Sequence, residues 1–99
     1  MVSMKLTREP ISEIEPWKNY IPIQHYEYNG KHVLLAVDTN LNLKRRKMWL
    51  DIFELETGFG GRILGLVKNS YFPVGGMWSM NDIQSGAIDD TIIKTIAWL

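Results

Sequence analysis

The side chains that could do chemistry in this chain are few. The only histidines are His25 and His32, separated by Glu27 and the turn Asn29-Gly30. If the segment folds as a hairpin, the two imidazoles share a face, with Glu27 opposite His32. Two imidazoles and a carboxylate are zinc-type ligands, but no fourth ligand is implied, so no metal is expected and the face reads as polar or partner-facing. A Ser-His-Asp arrangement needs a nucleophile beside one of those rings. Ser3, Ser12, Ser70, Ser79 and Ser85 lack a nucleophile-elbow context. Gly58-Phe59-Gly60-Gly61-Arg62 is glycine-rich, but phosphate loops lead into a helix N-terminus and carry a Lys-Ser/Thr signature, whereas this run leads toward Ile63-Leu64-Gly65-Leu66-Val67 and reads as a turn. Asp82, Asp89 and Asp90 are too irregularly spaced for an EF-hand loop. Tyr26, Tyr28 and Trp49, with Arg45 and Arg46, could form a base-stacking platform. No enzyme activity and no cofactor are expected.

The bulk composition narrows the field. Across 99 residues, 11 Lys and Arg balance 11 Asp and Glu, so no global field gathers nucleic acid or coats an anionic membrane. The one local excess is Lys44-Arg45-Arg46-Lys47, read as a solvated strand entry or a charged edge at an interface. There is no cysteine, which leaves packing and partners to stabilise a single modest domain. No segment has the apolar length to span a bilayer, and the first residues lack the apolar run of a signal peptide. Four Trp, four Tyr, three Phe and five Met are many for a small core to enclose. Aromatics and Met are enriched at interfaces, so at least one of Trp17, Trp78 and Trp98 is expected to face a partner.

The elements that would carry these residues are mostly strands. Residues 1–19 read as an extended arm, because Pro16 follows the Ser12–Glu15 capping spacing at once. Residues 20–99 read as one β-rich domain. Ile21 to Tyr28, the turn Asn29-Gly30, and His32 to Val37 form a hairpin, since Asn-Gly accepts positive φ at both central positions. That turn sets Tyr28 opposite Lys31, Tyr26 opposite Val33 and Gln24 opposite Leu35. One face then carries Tyr26, Tyr28, Val33, Leu35 and Val37, and the other carries Ile23, His25, Glu27, His32, Leu34 and Ala36. Residues 43–56 read as a strand, with Met48, Leu50 and Ile52 on one face and Trp49, Phe53 and Leu55 on the other. A helix there would set cations at its N-terminus and carboxylates at its C-terminus, against its dipole. Trp49 is expected in the core. Ile63 to Val67 returns as the partner strand, with Gly65 a bulge point. Tyr71 to Val74 and Met77-Trp78 are expected as further short strands. In the tail, Ile88, Ile92, Ile96 and Leu99 sit at helical spacing, but the β-branched density of Thr91 to Ile96 favours a turn and a final strand. The expected fold is all-β or β-dominated, a small antiparallel β-barrel or sandwich built from hairpins, with at most short helical turns.

The succession Tyr28-Asn29-Gly30-Lys31, Leu35, Val37, Asn40, Arg45 or Arg46, Trp49-Leu50-Asp51-Ile52-Phe53 and Ile63-Leu64-Gly65 resembles a family of small phage baseplate proteins, the plug-domain proteins of a cyanophage contractile tail. The resemblance covers residues 24–67. Pro73, Gly75, Gly76, Asp82 and Asp89-Asp90 match its later segments loosely. Asn42 to Lys47 is more basic than the family pattern, and the last segment lacks its terminal tyrosine. The resemblance implies a structural virion protein of the tail baseplate, near the hub and tube axis. Such a protein helps close the channel before ejection, is present in several copies, and passes through the host cytoplasm during assembly. It implies other tail and baseplate proteins as partners, with no membrane and no nucleic acid among them. Trp17, Arg45, Arg46, Phe59 and Trp78 are the expected partner contacts. The competing expectation is a small oligonucleotide-binding β-barrel.

Overall fold

The computed structural model describes residues 5–11, 19–38 and 47–99. Its strands are β1 (Thr7–Glu9), β2 (Tyr20–Tyr28), β3 (Lys31–Asp38), β4 (Met48–Thr57) and β5 (Ile63–Trp78). They form one antiparallel sheet in the order β1-β2-β3-β4-β5, so each strand lies beside its neighbour in sequence. Two helices follow, α1 (Met80–Ser85) and α2 (Asp89–Ile96). The protein is strand-dominated, as the sequence leads one to expect. The sheet is open, however: the closure of a barrel and the second sheet of a sandwich are both replaced by a helical layer.

The β2–β3 hairpin has the register set by its turn, with Tyr28 paired to Lys31, Tyr26 to Val33 and His25 to Leu34. Asn29 and Gly30 take φ of 52° and 80°, the doubly positive pair of a type I′ turn. A register shift between Pro22 and Gln24 moves Ile23 off the face on which strict alternation would place it. It packs instead with Tyr26, Val33, Leu35 and Val37. Strand β1 lies within the expected N-terminal arm and pairs along β2 from Thr7↔Glu27 to Glu9↔His25.

The β4 face assignment holds for Met48, Leu50 and Ile52, which join the main core, and for Phe53 and Leu55, which join a smaller cluster on the other face. Trp49 departs from the expectation, because its ring is 50% exposed. Alternation points it away from the helices, and none of the described elements forms a second layer over that face of the sheet. The segments expected as two or three short strands are one long strand, β5, interrupted where its register against β4 slips. One slip falls between the Glu56↔Gly65 and Thr57↔Ile63 pairs, the expected bulge. Others separate Phe53↔Tyr71 from Leu55↔Leu66, and Met48↔Trp78 from Leu50↔Val74. The extra residues coil the strand, and Ile63 and Leu66 fold against Leu34, Ala36, Phe53 and Leu55.

The tail corrects the largest expectation: residues 89–96 are helix, not a final strand. Asp89 and Asp90 in the first turn and Lys94 in the last complement the α2 dipole, the neighbouring helix α1 is well capped, and a tertiary demand outweighs β-branched propensity. Ser79 and Asp82 make a reciprocal capping box, Asp82 N–H donating to Ser79 Oγ at 3.1 Å and Ser79 N–H donating to Asp82 Oδ2 at 3.0 Å. Gly86 ends α1 in the left-handed conformation at φ 87°, which turns the chain into α2. The apolar face made by Tyr26, Val33, Leu35, Leu50, Ile52 and Val74 needs a cover, and Ile83, Ile88, Ile92 and Ile96 supply it. Propensity is a weak prior beside that burial.

Candidate interaction surface and histidine pair

The face of the sheet opposite the helices is half polar. Tyr20 donates its hydroxyl to Asp51 Oδ2 at 2.9 Å. Its ring meets Phe53 edge-on at 5.0 Å between centroids, and Phe53 stacks on Tyr71 at 5.6 Å. Partial burial holds the Asp51 carboxyl above the usual carboxylate range, against the opposing pull of the Tyr20 hydrogen bond and with help from Asp38. Burial, then the Asp51 bond and charge, likewise raise the Tyr20 phenol. Trp49 and Tyr71 extend this aromatic row into solvent.

Two further apolar features are exposed. Phe59, in the 3₁₀ turn Phe59–Gly61 between β4 and β5, is fully exposed. Gly60 and Gly61 carry φ of 73° and 80° there, which lets the chain reverse tightly behind the ring. On the other side of the protein, Phe72, Pro73 and Gly75 from β5 face Thr91, Lys94, Thr95 and Trp98 across a groove of about 390 Å³. Trp98 stands at its rim, 83% exposed.

The histidines are brought together. His25 Nε2 lies 2.9 Å from His32 Nδ1, and His25 Nδ1 lies 3.3 Å from the Pro10 carbonyl oxygen. His25 is only 4% exposed. Burial, with the His32 charge, holds its imidazole below the ordinary histidine range, opposed by the Pro10 carbonyl and Glu9. Gln24 Nε2 adds a donor to Glu9 O at 2.8 Å, a further tie between β2 and the end of β1. Across the sheet, Arg8 fastens β1 to the helical layer, donating to Ile83 O at 2.5 Å and Gln84 O at 3.0 Å, with Asp89 Oδ1 at 3.7 Å. Those carbonyls close α1, where a cation complements the helix dipole. Among the described residues no three His, Cys, Asp or Glu side chains gather as a metal site.

Of the expected partner contacts, Phe59 is fully exposed and Trp78 is half-buried. Its ring is partly buried against the main core, and its indole N–H donates to Gly75 O at 2.8 Å. Trp17, Arg45 and Arg46 lie outside the described residues. The stacking platform of Tyr26, Tyr28 and Trp49 is not assembled: Tyr26 is buried under the helices with Tyr28 beside it, and Trp49 is on the opposite face. Sequence reasoning missed the Tyr20–Asp51 bond, the Arg8 tie and the Trp98 groove. Only the groove left a trace, in the helical spacing of Thr91, Thr95 and Trp98. No family model, curated protein or solved structure matches the chain.

Proposed function

We propose that this protein is a non-catalytic structural component of a phage tail baseplate, a plug-like domain that docks near the hub and tube axis and helps close the channel before ejection. The observation that carries the docking role is Phe59. A fully exposed phenyl ring on a tight glycine turn, at the end of a long hairpin, contributes nothing to its own core. It has the form of an anchor offered to a partner's pocket. Trp49 and Trp98 expose further aromatic surface at separate places, which suits a part contacting several neighbours at once. The tail assignment rests on the motif succession over residues 24–67.

The test is the composition of purified particles. The protein is expected to co-fractionate with intact tails, to cross-link to hub or tube proteins, and to lose that cross-link in Phe59→Ala while keeping its thermal midpoint. Particles that lack the protein would refute the tail assignment. An unchanged cross-link in Phe59→Ala would refute the anchor.

A further inference from the structure

We propose that the groove between β5 and α2 is a peptide-docking site, which takes an extended segment of a partner protein as a further strand running parallel to β5. The groove lies at the free edge of the sheet. Strand β5 ends the order β1-β2-β3-β4-β5, so among the described residues it has a strand neighbour on one side only. Phe72 packs against the main core, whereas Pro73 pairs with Asp51, whose carboxylate lies on the opposite face with Tyr20. A hollow lined by both Phe72 and Pro73, with α2 across from them, therefore follows the edge and not either face. An unpaired edge is a template for strand addition.

The backbone selects the direction. Proline has no N–H, so Asp51 and Pro73 are a pair without mutual hydrogen bonds, and the ladder to β4 runs through Phe72 and Val74 on either side. By alternation the Pro73 carbonyl and the Gly75 N–H point away from β4. One residue of a parallel strand satisfies both, donating its N–H to Pro73 O and accepting from Gly75 N–H. An antiparallel strand is served worse. At Pro73 it meets no donor, and at Gly75 it meets a carbonyl already accepting from the Trp78 indole at 2.8 Å. A closed twofold pairing of β5 with a second copy of itself runs antiparallel. The same two features therefore act against self-association and leave the edge to a different chain.

The side chains of the groove set the chemistry of the segment. The docked residue beside Val74 shares the face of Val74, so its side chain points toward α2. There it meets Phe72 and Trp98, whose ring is 83% exposed at the rim of a space of about 390 Å³. An aromatic or large aliphatic side chain fills that space and covers the indole. Lys94 is the one charged residue of the lining, exposed and, among the described residues, in no ion pair. A carboxylate two residues away from the apolar side chain lies on the same face of an extended segment and complements that charge. The site is separate from the Phe59 anchor and does not depend on the tail assignment.

The experiment is an NMR titration of the isotopically labelled protein with two acetylated and amidated heptapeptides, Thr-Val-Thr-Phe-Thr-Asp-Thr and Thr-Asp-Thr-Phe-Thr-Val-Thr, which set the acid on either side of the ring. At least one is expected to shift the Gly75 amide and the Trp98 indole saturably. Alanine in place of the peptide's phenylalanine should weaken binding at least about tenfold. N-methylation of that phenylalanine, which removes the N–H offered to Pro73, should weaken it at least about fivefold. Trp98→Ala should weaken it at least about fivefold with an unchanged thermal midpoint, and Lys94→Gln about two- to fivefold, most at low salt. A nitroxide on the peptide's N-terminus should broaden Tyr71 more than Met77. Gly75 left unmoved by both peptides, binding indifferent to N-methylation, or broadening centred on Met77 would overturn the proposal. So would Gly75 and Trp98 shifts that follow protein concentration alone, which would give the edge to a second copy.

Discussion

Replacing Ile92 by alanine tests the helical layer most directly. Ile92 is fully buried in α2, packed in the core that also holds Ile88 and Ile96 on one side and Val33, Leu35 and Ile52 on the other. The change removes three carbon groups, at about 0.8 kcal/mol each, or roughly 2.4 kcal/mol of transfer free energy. Neighbours fixed by the sheet close the gap only in part, and each ~40 Å³ left open adds about 1 kcal/mol. The expected loss is about 3–4 kcal/mol, a large share of the roughly 5–15 kcal/mol available to a domain of this size. Urea unfolding followed by tryptophan fluorescence should show the midpoint falling by about 2 M at a slope near 1.5 kcal/mol per M. Ile92→Val should cost only about 0.5–1.5 kcal/mol. A loss below about 1 kcal/mol for Ile92→Ala, with the slope unchanged, would mean that α2 does not cover the sheet, and the account of the core would fail with it.

Three other outcomes are expected. Trp49→Ala should cost less than about 1.5 kcal/mol in the same assay, because half the ring is already in water; a loss of about 3–5 kcal/mol would return the indole to the core. Tyr26→Phe should leave stability level or raise it by about 1 kcal/mol, since the buried hydroxyl has no hydrogen-bond partner among the described residues. The same variant tests a pH effect. Burial pushes the Tyr26 phenol up to about 12 in the folded protein, so the unfolded chain loses its proton first and wild-type stability falls as pH rises from about 10 to 12. Tyr26→Phe should weaken that alkaline slope, and an identical slope in both proteins would refute the assignment. Ser79→Ala removes the acceptor of the capping box and should cost about 0.5–2 kcal/mol by urea titration; no change would mean the box does not stabilise α1.

The aromatic surfaces and the short edge strand ask different things of the fold. The docking role proposed for Phe59 would need a body that does not deform, and the continuous meander from β2 to β5 suits that. Strand β1 is different. It is three residues long and lies at the sheet edge, held by Arg8 toward the helical layer and by the contacts of Gln24 and His25 with Glu9 and Pro10. A short edge element fastened by a few side chains opens at lower cost than the sheet itself.

The chain's own sequence determined whatever is encoded locally. Asn29-Gly30 set the β2–β3 register because both residues accept positive φ, and the alternation of Met48, Leu50 and Ile52 against Phe53 and Leu55 set the faces of β4. That register also set His25 and His32 on one face, diagonal to each other, but the 2.9 Å contact between their rings is a matter of side-chain packing. Only the tertiary structure decided the tail, because Thr91 to Ile96 carries a strand propensity and a helical spacing of comparable strength, and the exposed apolar face of the sheet chose between them. It also decided which way Trp49, Trp78 and Trp98 face, since whether a large side chain is covered depends on what packs over it from distant sequence. The same is true of Arg8 reaching Ile83 and Gln84, and of Tyr20 reaching Asp51: hydrogen bonds across 75 or 31 positions leave no periodicity to read.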